Sequence, residues 1–209
     1  MPEHLKGPRP RADALVTRLI DLTLGSLALV VCSPLLAVAA IAIRVGSRGP
    51  VLYRHRRVGI HGEAFDLYKL RTMVLGAEST GTGVYALPDD PRITRVGGFL
   101  RRFSLDELPN LINVVRGDMS LVGPRPTVQE QVDRYTEHQR RRLEVKPGLT
   151  GWAQLHGRQS LPWPERIELD VWYVDNRTLR LDLRILARTV RLLLTGHGVS
   201  GDDPKQGWD

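Results

Sequence analysis

The chain has 209 residues, with 30 Lys+Arg against 23 Asp+Glu and a formal net charge of +7. That length suits one domain with a small appendage; 42% hydrophobic and 25% charged residues exclude disorder throughout, and a lone cysteine, Cys32, excludes an internal disulfide framework. The histidines are scattered without zinc-ligand spacing, and the basic excess calls for an anionic partner: nucleic acid, a phosphate-bearing substrate or acidic lipid.

Residues 1–12 are rich in Pro and Arg and predict a loose tail. Residues 13–44 predict a membrane segment. Within it, 22–43 (LTLGSLALVVCSPLLAVAAIAI) carries no charge and is long enough to cross a hydrocarbon core of about 30 Å as a helix. The run is too long for a signal peptide and no cleavage site follows it. Arg9, Arg11 and Arg18 precede the run, and Arg44, Arg48, Arg54, Arg56 and Arg57 follow it. The positive-inside rule therefore places both flanks on the cytoplasmic side, which conflicts with a single crossing. Ser33-Pro34 lies mid-run, and proline removes a helix hydrogen bond. Each arm is then roughly 16 Å long, half a bilayer. The expectation is a re-entrant helix–break–helix; a kinked single span is the simpler alternative.

Residues 45–209 predict a small α+β domain, mixed but mostly helical. VLYRHRRV and EAFDLYKL flank GIHG and read as a β-hairpin. The loop over 76–91 contains Gly81-Thr82-Gly83, a superficial dinucleotide fingerprint; without a leading strand or a βαβ unit that reading is set aside. Ser104 opens an apolar-periodic helix to about Arg116, with Gly117 as its stop. Gly123-Pro124-Arg125-Pro126 is a rigid turn. A charged helix is predicted over 127–143, an extended piece over 151–154, and helices over 164–176 and 182–195. The last carries Arg184, Arg188 and Arg191 on one stripe and Leu183, Leu186, Val190 and Leu193 on another. It suits a membrane-surface helix and a core helix with a solvated basic face equally well.

The basic residues between 54 and 102 flank turns rather than forming one run. They suit phosphate contacts at a defined site or a solvated face beside anionic headgroups. Asp106-Glu107 has two readings. Ser104-x-x-Glu107 matches a capping box, in which both side chains satisfy backbone N–H groups. Alternatively, Asp106 is a nucleophile toward phosphorus and Glu107 helps to hold Mg²⁺. Spacing alone favours the cap. No P-loop supports a kinase, and adjacent carboxylates do not flank a glycosidic bond in the usual way.

Longer motifs change that weighting. YKLRTM (68–73), DPRITRVGGFLRRFSLDELPNL (90–111), GDMSLVGPRP (117–126), VKPGLTGWAQLHGR (145–158) and ERIELDVWYVDN (165–176) resemble, in this order, the bacterial sugar transferases. These are monotopic phosphoglycosyl transferases that load undecaprenyl phosphate. The resemblance covers about residues 13–195, including the Ser-Pro break. It implies transfer of a sugar 1-phosphate from a UDP-sugar to undecaprenyl phosphate on the cytoplasmic face of the inner membrane, early in exopolysaccharide or other surface glycan assembly. It further implies that Asp106 is the nucleophile, that Glu107 is its Mg²⁺-associated partner, and that UMP leaves before the lipid phosphate attacks. Lys69, Arg71, Arg101 and Arg125 match positions suited to phosphate contacts; Gln154 and Asp170 match positions suited to the nucleotide or sugar pocket. Membrane lipids are expected partners and nucleic acid is not; homo-oligomer formation stays open. Two rivals remain at this level: direct transfer in a ternary complex, and a non-catalytic nucleotide-sugar-binding scaffold.

Overall fold

A computed structural model describes residues 11–79, 90–157 and 161–195. Most of the predicted tail and the Gly81-Thr82-Gly83 motif lie outside them. Helix α1 runs Arg11–Gly46. A hairpin follows, β1 (Leu52–Val58) and β2 (Ala64–Leu70), antiparallel with Tyr53 opposite Lys69 and Arg57 opposite Phe65. Then come α2 (Arg95–Arg102), a 3₁₀ turn Leu105–Glu107, α3 (Asn110–Arg116) and β3 (Ser120–Val122). Two single-turn helices, α4 (Gln129–Val132) and α5 (Glu137–Arg140), lead through a 3₁₀ turn to β4 (Gly148–Thr150), which pairs parallel with β3. Helices α6 (Trp152–Leu155), α7 (Trp163–Asn176) and α8 (Leu179–Thr195) close the fold. The α+β class and the hairpin are as expected.

Several elements differ from expectation. Helix α1 continues through Ser33-Pro34 without a break in secondary structure. Pro34 cannot donate to the Val30 carbonyl four residues earlier, and the Ser33 hydroxyl donates to that carbonyl instead, at 2.7 Å. The helix predicted from Ser104 is interrupted because Pro109 supplies no N–H, so α3 starts only at Asn110; Gly117 stops it as predicted, in the left-handed region at φ 95°. The charged helix over 127–143 is split by a capping box, Thr136 with Gln139, which starts a new helix. Where 151–154 was expected to be extended, Trp152–Leu155 is a helical turn. Helix α8 begins earlier, where the Thr178 hydroxyl accepts from the Leu181 N–H. It buries Leu181 and Ile185 and leaves Leu183 and Val190 exposed beside the Arg stripe.

Three apolar clusters hold these elements together. The largest joins β2, α3, β3, α7 and α8 through Leu67, Leu111, Val114, Leu121, Tyr173 and Ile185, with Ile20, Ala28 and Leu29 of α1 packed against it. A second joins Val58, Val132, Tyr135, Ile167 and Val171. The third sets Ala39 and Ile43 of α1 against Leu70 and Leu100. Both halves of α1 therefore seat on the same domain. Polar locks reinforce each seat. Arg18 donates to the Val114 and Val115 carbonyls at the end of α3, both at 2.7 Å, and Asp21 accepts from Ser120 Oγ and the Leu121 N–H. At the other end, Arg71 donates to the Ser47 and Arg48 carbonyls. The opposite face of α1 exposes Leu19, Leu27, Val30, Val31, Val38 and Ile41.

Candidate active site

The site is assembled where α2, β2 and the turn after β3 converge on the Leu105–Glu107 turn. Ser104 enters that turn at φ 54°, in the left-handed region, and its side chain makes no capping bond. A non-glycine residue there is strained by about 1–3 kcal/mol. The Glu107 side chain does not turn back to the backbone either. It accepts from Lys69 Nζ at 2.8 Å and from Arg125 Nη2 at 2.5 Å. The capping-box reading is thus replaced by an ion-pair reading.

Each cation is positioned by its own element. Lys69 lies on β2, and the neighbouring Tyr68 N–H donates to Asn113 Oδ1 of α3. The fully buried Asn113 also donates to the Asp66 carbonyl, which locks β2 to α3. Arg125 projects from the Gly123–Pro126 turn. That turn lies so close to the 146–151 segment that a Cβ on Gly148 would sit 2.1 Å from the Gly123 nitrogen, and one on Gly151 2.2 Å from the Gly123 oxygen. Glycine is required there by close backbone approach. Arg101, on α2, donates from Nε to Thr72 Oγ1 at 2.8 Å.

Asp106 is 9% exposed. Its carboxylate makes no side-chain hydrogen bond among the described residues. Burial, and then the Glu107 charge, push its carboxyl above the ordinary aspartate value, against the pull of Lys69 and Arg101. Burial acts on Glu107 in the same sense, but the Arg125 and Lys69 charges overcome it and hold Glu107 well below the usual carboxylate range. The dyad is therefore asymmetric: one carboxylate is tied down by two cations, while the other makes a hydrogen bond only to its own backbone among the described residues.

The remaining predicted residues lie as follows. Arg71 is buried and caps the end of α1. Asp170, only 3% exposed, pairs with Arg142 at 2.6 Å; burial pushes its carboxyl up to about 6 against the opposing Arg142 charge. Gln154 Nε2 donates to the Leu149 carbonyl, and its Oε1 is buried without a partner among the described residues. Ser33 and Pro34 lie on the exposed middle of α1. No group of three or more potential metal ligands occurs among the described residues.

The family model for bacterial sugar transferases matches residues 12–196. The chain belongs to the bacterial sugar transferase family. It is 47% identical over 188 residues to EpsL of Bacillus subtilis (strain 168), an uncharacterised sugar transferase, covering 88% of this chain and 90% of that one. It is 39% identical to the undecaprenyl-phosphate galactose phosphotransferase of Salmonella typhimurium, over 90% of this chain and 42% of that one. It is also 39% identical to the UDP-glucose:undecaprenyl-phosphate glucose-1-phosphate transferase of Escherichia coli (strain K12), over 88% of this chain and 41% of that one. The chain thus spans less than half the length of these two relatives and most of the length of EpsL.

In this sugar transferase, sequence reasoning missed Arg166 and Arg142. Arg166 donates to the Leu161 carbonyl at 2.6 Å and lies over the Trp163 ring. Burial lowers its pKa, and the Arg125 charge adds to that, so a second guanidinium accompanies Arg125 on this side. Its position one turn into α7, beside an indole, is the only signal the sequence offered. Arg142 is the last of three consecutive arginines, and nothing local distinguishes it.

Proposed function

We propose that this protein transfers a sugar 1-phosphate from a UDP-sugar to undecaprenyl phosphate, with Asp106 as a covalent nucleophile and release of UMP. The observation that carries the reading is the asymmetry of the dyad. Glu107 is held by Lys69 and Arg125, while Asp106 has no side-chain partner. A free Asp106 oxygen attacks the sugar-bearing phosphorus; the bond from that phosphorus to the bridging oxygen breaks, and UMP leaves with the electron pair. An oxygen of the lipid phosphate then attacks the same phosphorus and releases the Asp106 carboxylate. Lys69, Arg101 and Arg125 stabilise phosphate charge as it develops.

Mg²⁺ suits the donor set. It binds through one or two carboxylates together with substrate phosphates and water. Asp106 offers such an oxygen, and Glu107 Oε2 has only a 3.4 Å contact with Arg125. When bound, the ion supplies charge neutralisation on the diphosphate. The membrane side of the reading rests on α1, a long apolar helix of which only a small share is buried. Phe99 and Phe103, on and after α2, are exposed as well. A lipid phosphate held at headgroup depth then meets a soluble nucleotide sugar on the cytoplasmic face.

The test measures UMP release with a panel of UDP-sugars, undecaprenyl phosphate and Mg²⁺. Asp106→Asn keeps size and hydrogen bonding but removes the nucleophile, and is expected to lower kcat about a thousandfold or more. Labelled phosphosugar is expected on the protein before lipid is added. Lipid product without that adduct would replace the covalent route by direct transfer; no turnover in the wild type with any sugar would favour the scaffold.

A further inference from the structure

We propose that Arg142 is a positioning residue: it fixes the backbone of Arg125, and through it the guanidinium that grips Glu107. This rests on the reading of Glu107 and Arg125 as part of the active site. The Arg142 side chain is 1% exposed. Its guanidinium reaches three acceptors on three segments: the Tyr135 hydroxyl, Asp170 Oδ2 at 2.6 Å and the Arg125 carbonyl at 2.9 Å.

The connection runs further. Tyr135 donates to Thr127 Oγ1 at 3.1 Å, and Thr127 donates to Gln131. The Thr127 carbonyl accepts from the Val58 N–H at 2.9 Å. Upstream, the Pro124 carbonyl accepts from Gly148 and the Gly123 N–H donates to Thr150. The turn is thus held at Gly123, Pro124, Arg125 and Thr127, and Arg142 supplies the hold at Arg125 itself. With that backbone fixed, the Arg125 side chain reaches Glu107 at 2.5 Å.

Stability does not account for such an arrangement. A buried ion pair is often replaceable by apolar residues without loss, because desolvation offsets the attraction. What an apolar pair cannot supply is a planar fork donating to a carboxylate and a backbone carbonyl together. Asp170 is then the counter-charge that keeps the fork buried and aimed, rather than a wall of the substrate pocket.

The decisive variant replaces both charges, Arg142→Met with Asp170→Leu, and avoids leaving either one buried alone. It is expected to fold with a Tm close to wild type and to lose about tenfold or more in kcat/KM for UMP release. In an Arg125→Ala background the same pair is expected to cost less than about threefold, since the residue it acts through is gone. Tyr135→Phe, which leaves the Arg125 carbonyl bond intact, is expected to stay within about threefold of wild type. A readout independent of turnover is the nitrogen-15 signal of the Arg125 guanidinium, identified by its loss in Arg125→Ala; it should move in the paired variant and not in Tyr135→Phe. A folded paired variant with wild-type activity, an equal cost with and without Arg125, or an unmoved Arg125 signal would each overturn the proposal. An inactive wild type would instead count against the transferase reading, and the Arg125 signal would still decide this one.

Discussion

At the scale of single residues, Asp106 and Glu107 are adjacent in sequence and pushed in opposite directions by their surroundings. Under the proposed mechanism Asp106 must be ionised to attack, and its pKa is raised by burial and by Glu107. Activity is therefore lost, as pH falls, through a value above that of an ordinary aspartate. Two substitutions should move this acid limb of kcat/KM oppositely. Lys69→Met removes a charge that lowers the Asp106 pKa and should shift the limb to higher pH. Glu107→Gln removes the charge that raises it and should shift the limb to lower pH, whatever each does to the maximal rate. A limb that stays put in both variants would mean that a group other than Asp106 titrates. The sequence already held the dyad and the Lys69, Arg101 and Arg125 cations. It could not show that Arg71 is used up on the end of α1, because nothing local to YKLRTM reveals which carbonyls lie across the fold.

At the scale of elements, two neighbouring glycines in α2 separate packing from propensity. A Cβ on Gly97 would lie 1.9 Å from the Thr72 carbonyl oxygen, whereas one on Gly98 would meet only Ile93 at 4.0 Å. Gly97→Ala must push α2 away from the strand that leads to Thr72 and should destabilise by about 1–3 kcal/mol. It should also lower turnover, since Arg101 rides on α2 and bonds Thr72. Gly98→Ala keeps the exposed helical position and should stabilise by about 0.5–1 kcal/mol. Thermal unfolding of the two variants checks the contrast, and equal effects would refute it. The same distinction explains which elements were legible. The hairpin shows in its short β-prone runs and turn, and α3 ends at Gly117 for a local reason. The split of 127–143 depends on a local cap at Thr136 that the run of charges obscured. The burial of Leu181 and Ile185 rather than Leu183 and Val190 is decided by where α8 docks.

At the scale of the whole molecule, α1 decides how the domain can meet a membrane. Its 36 residues would extend roughly 54 Å as a straight rod, well beyond a hydrocarbon core of about 30 Å. Yet its first half is clamped to α3 and β3 through Arg18 and Asp21, its second half packs on Leu70 and Leu100, and Arg71 holds the Ser47-Arg48 turn just after its end. A helix whose two ends are bound to one domain cannot deliver them to opposite sides of a bilayer while that domain stays intact. In the proposed membrane placement, its exposed apolar face, with Val30 and Val31 near the middle, is the part that enters lipid. The Ser33 hydroxyl on the Val30 carbonyl satisfies the one acceptor that Pro34 leaves open, where water is scarce. Single cysteines at Arg11 and Arg48, in a Cys32→Ala background, should both resist a membrane-impermeant thiol reagent added to intact cells. Both should react once the cells are opened. Labelling of either one from outside would show a crossing, and would require that one of the two clamped ends lets go of the domain in the membrane.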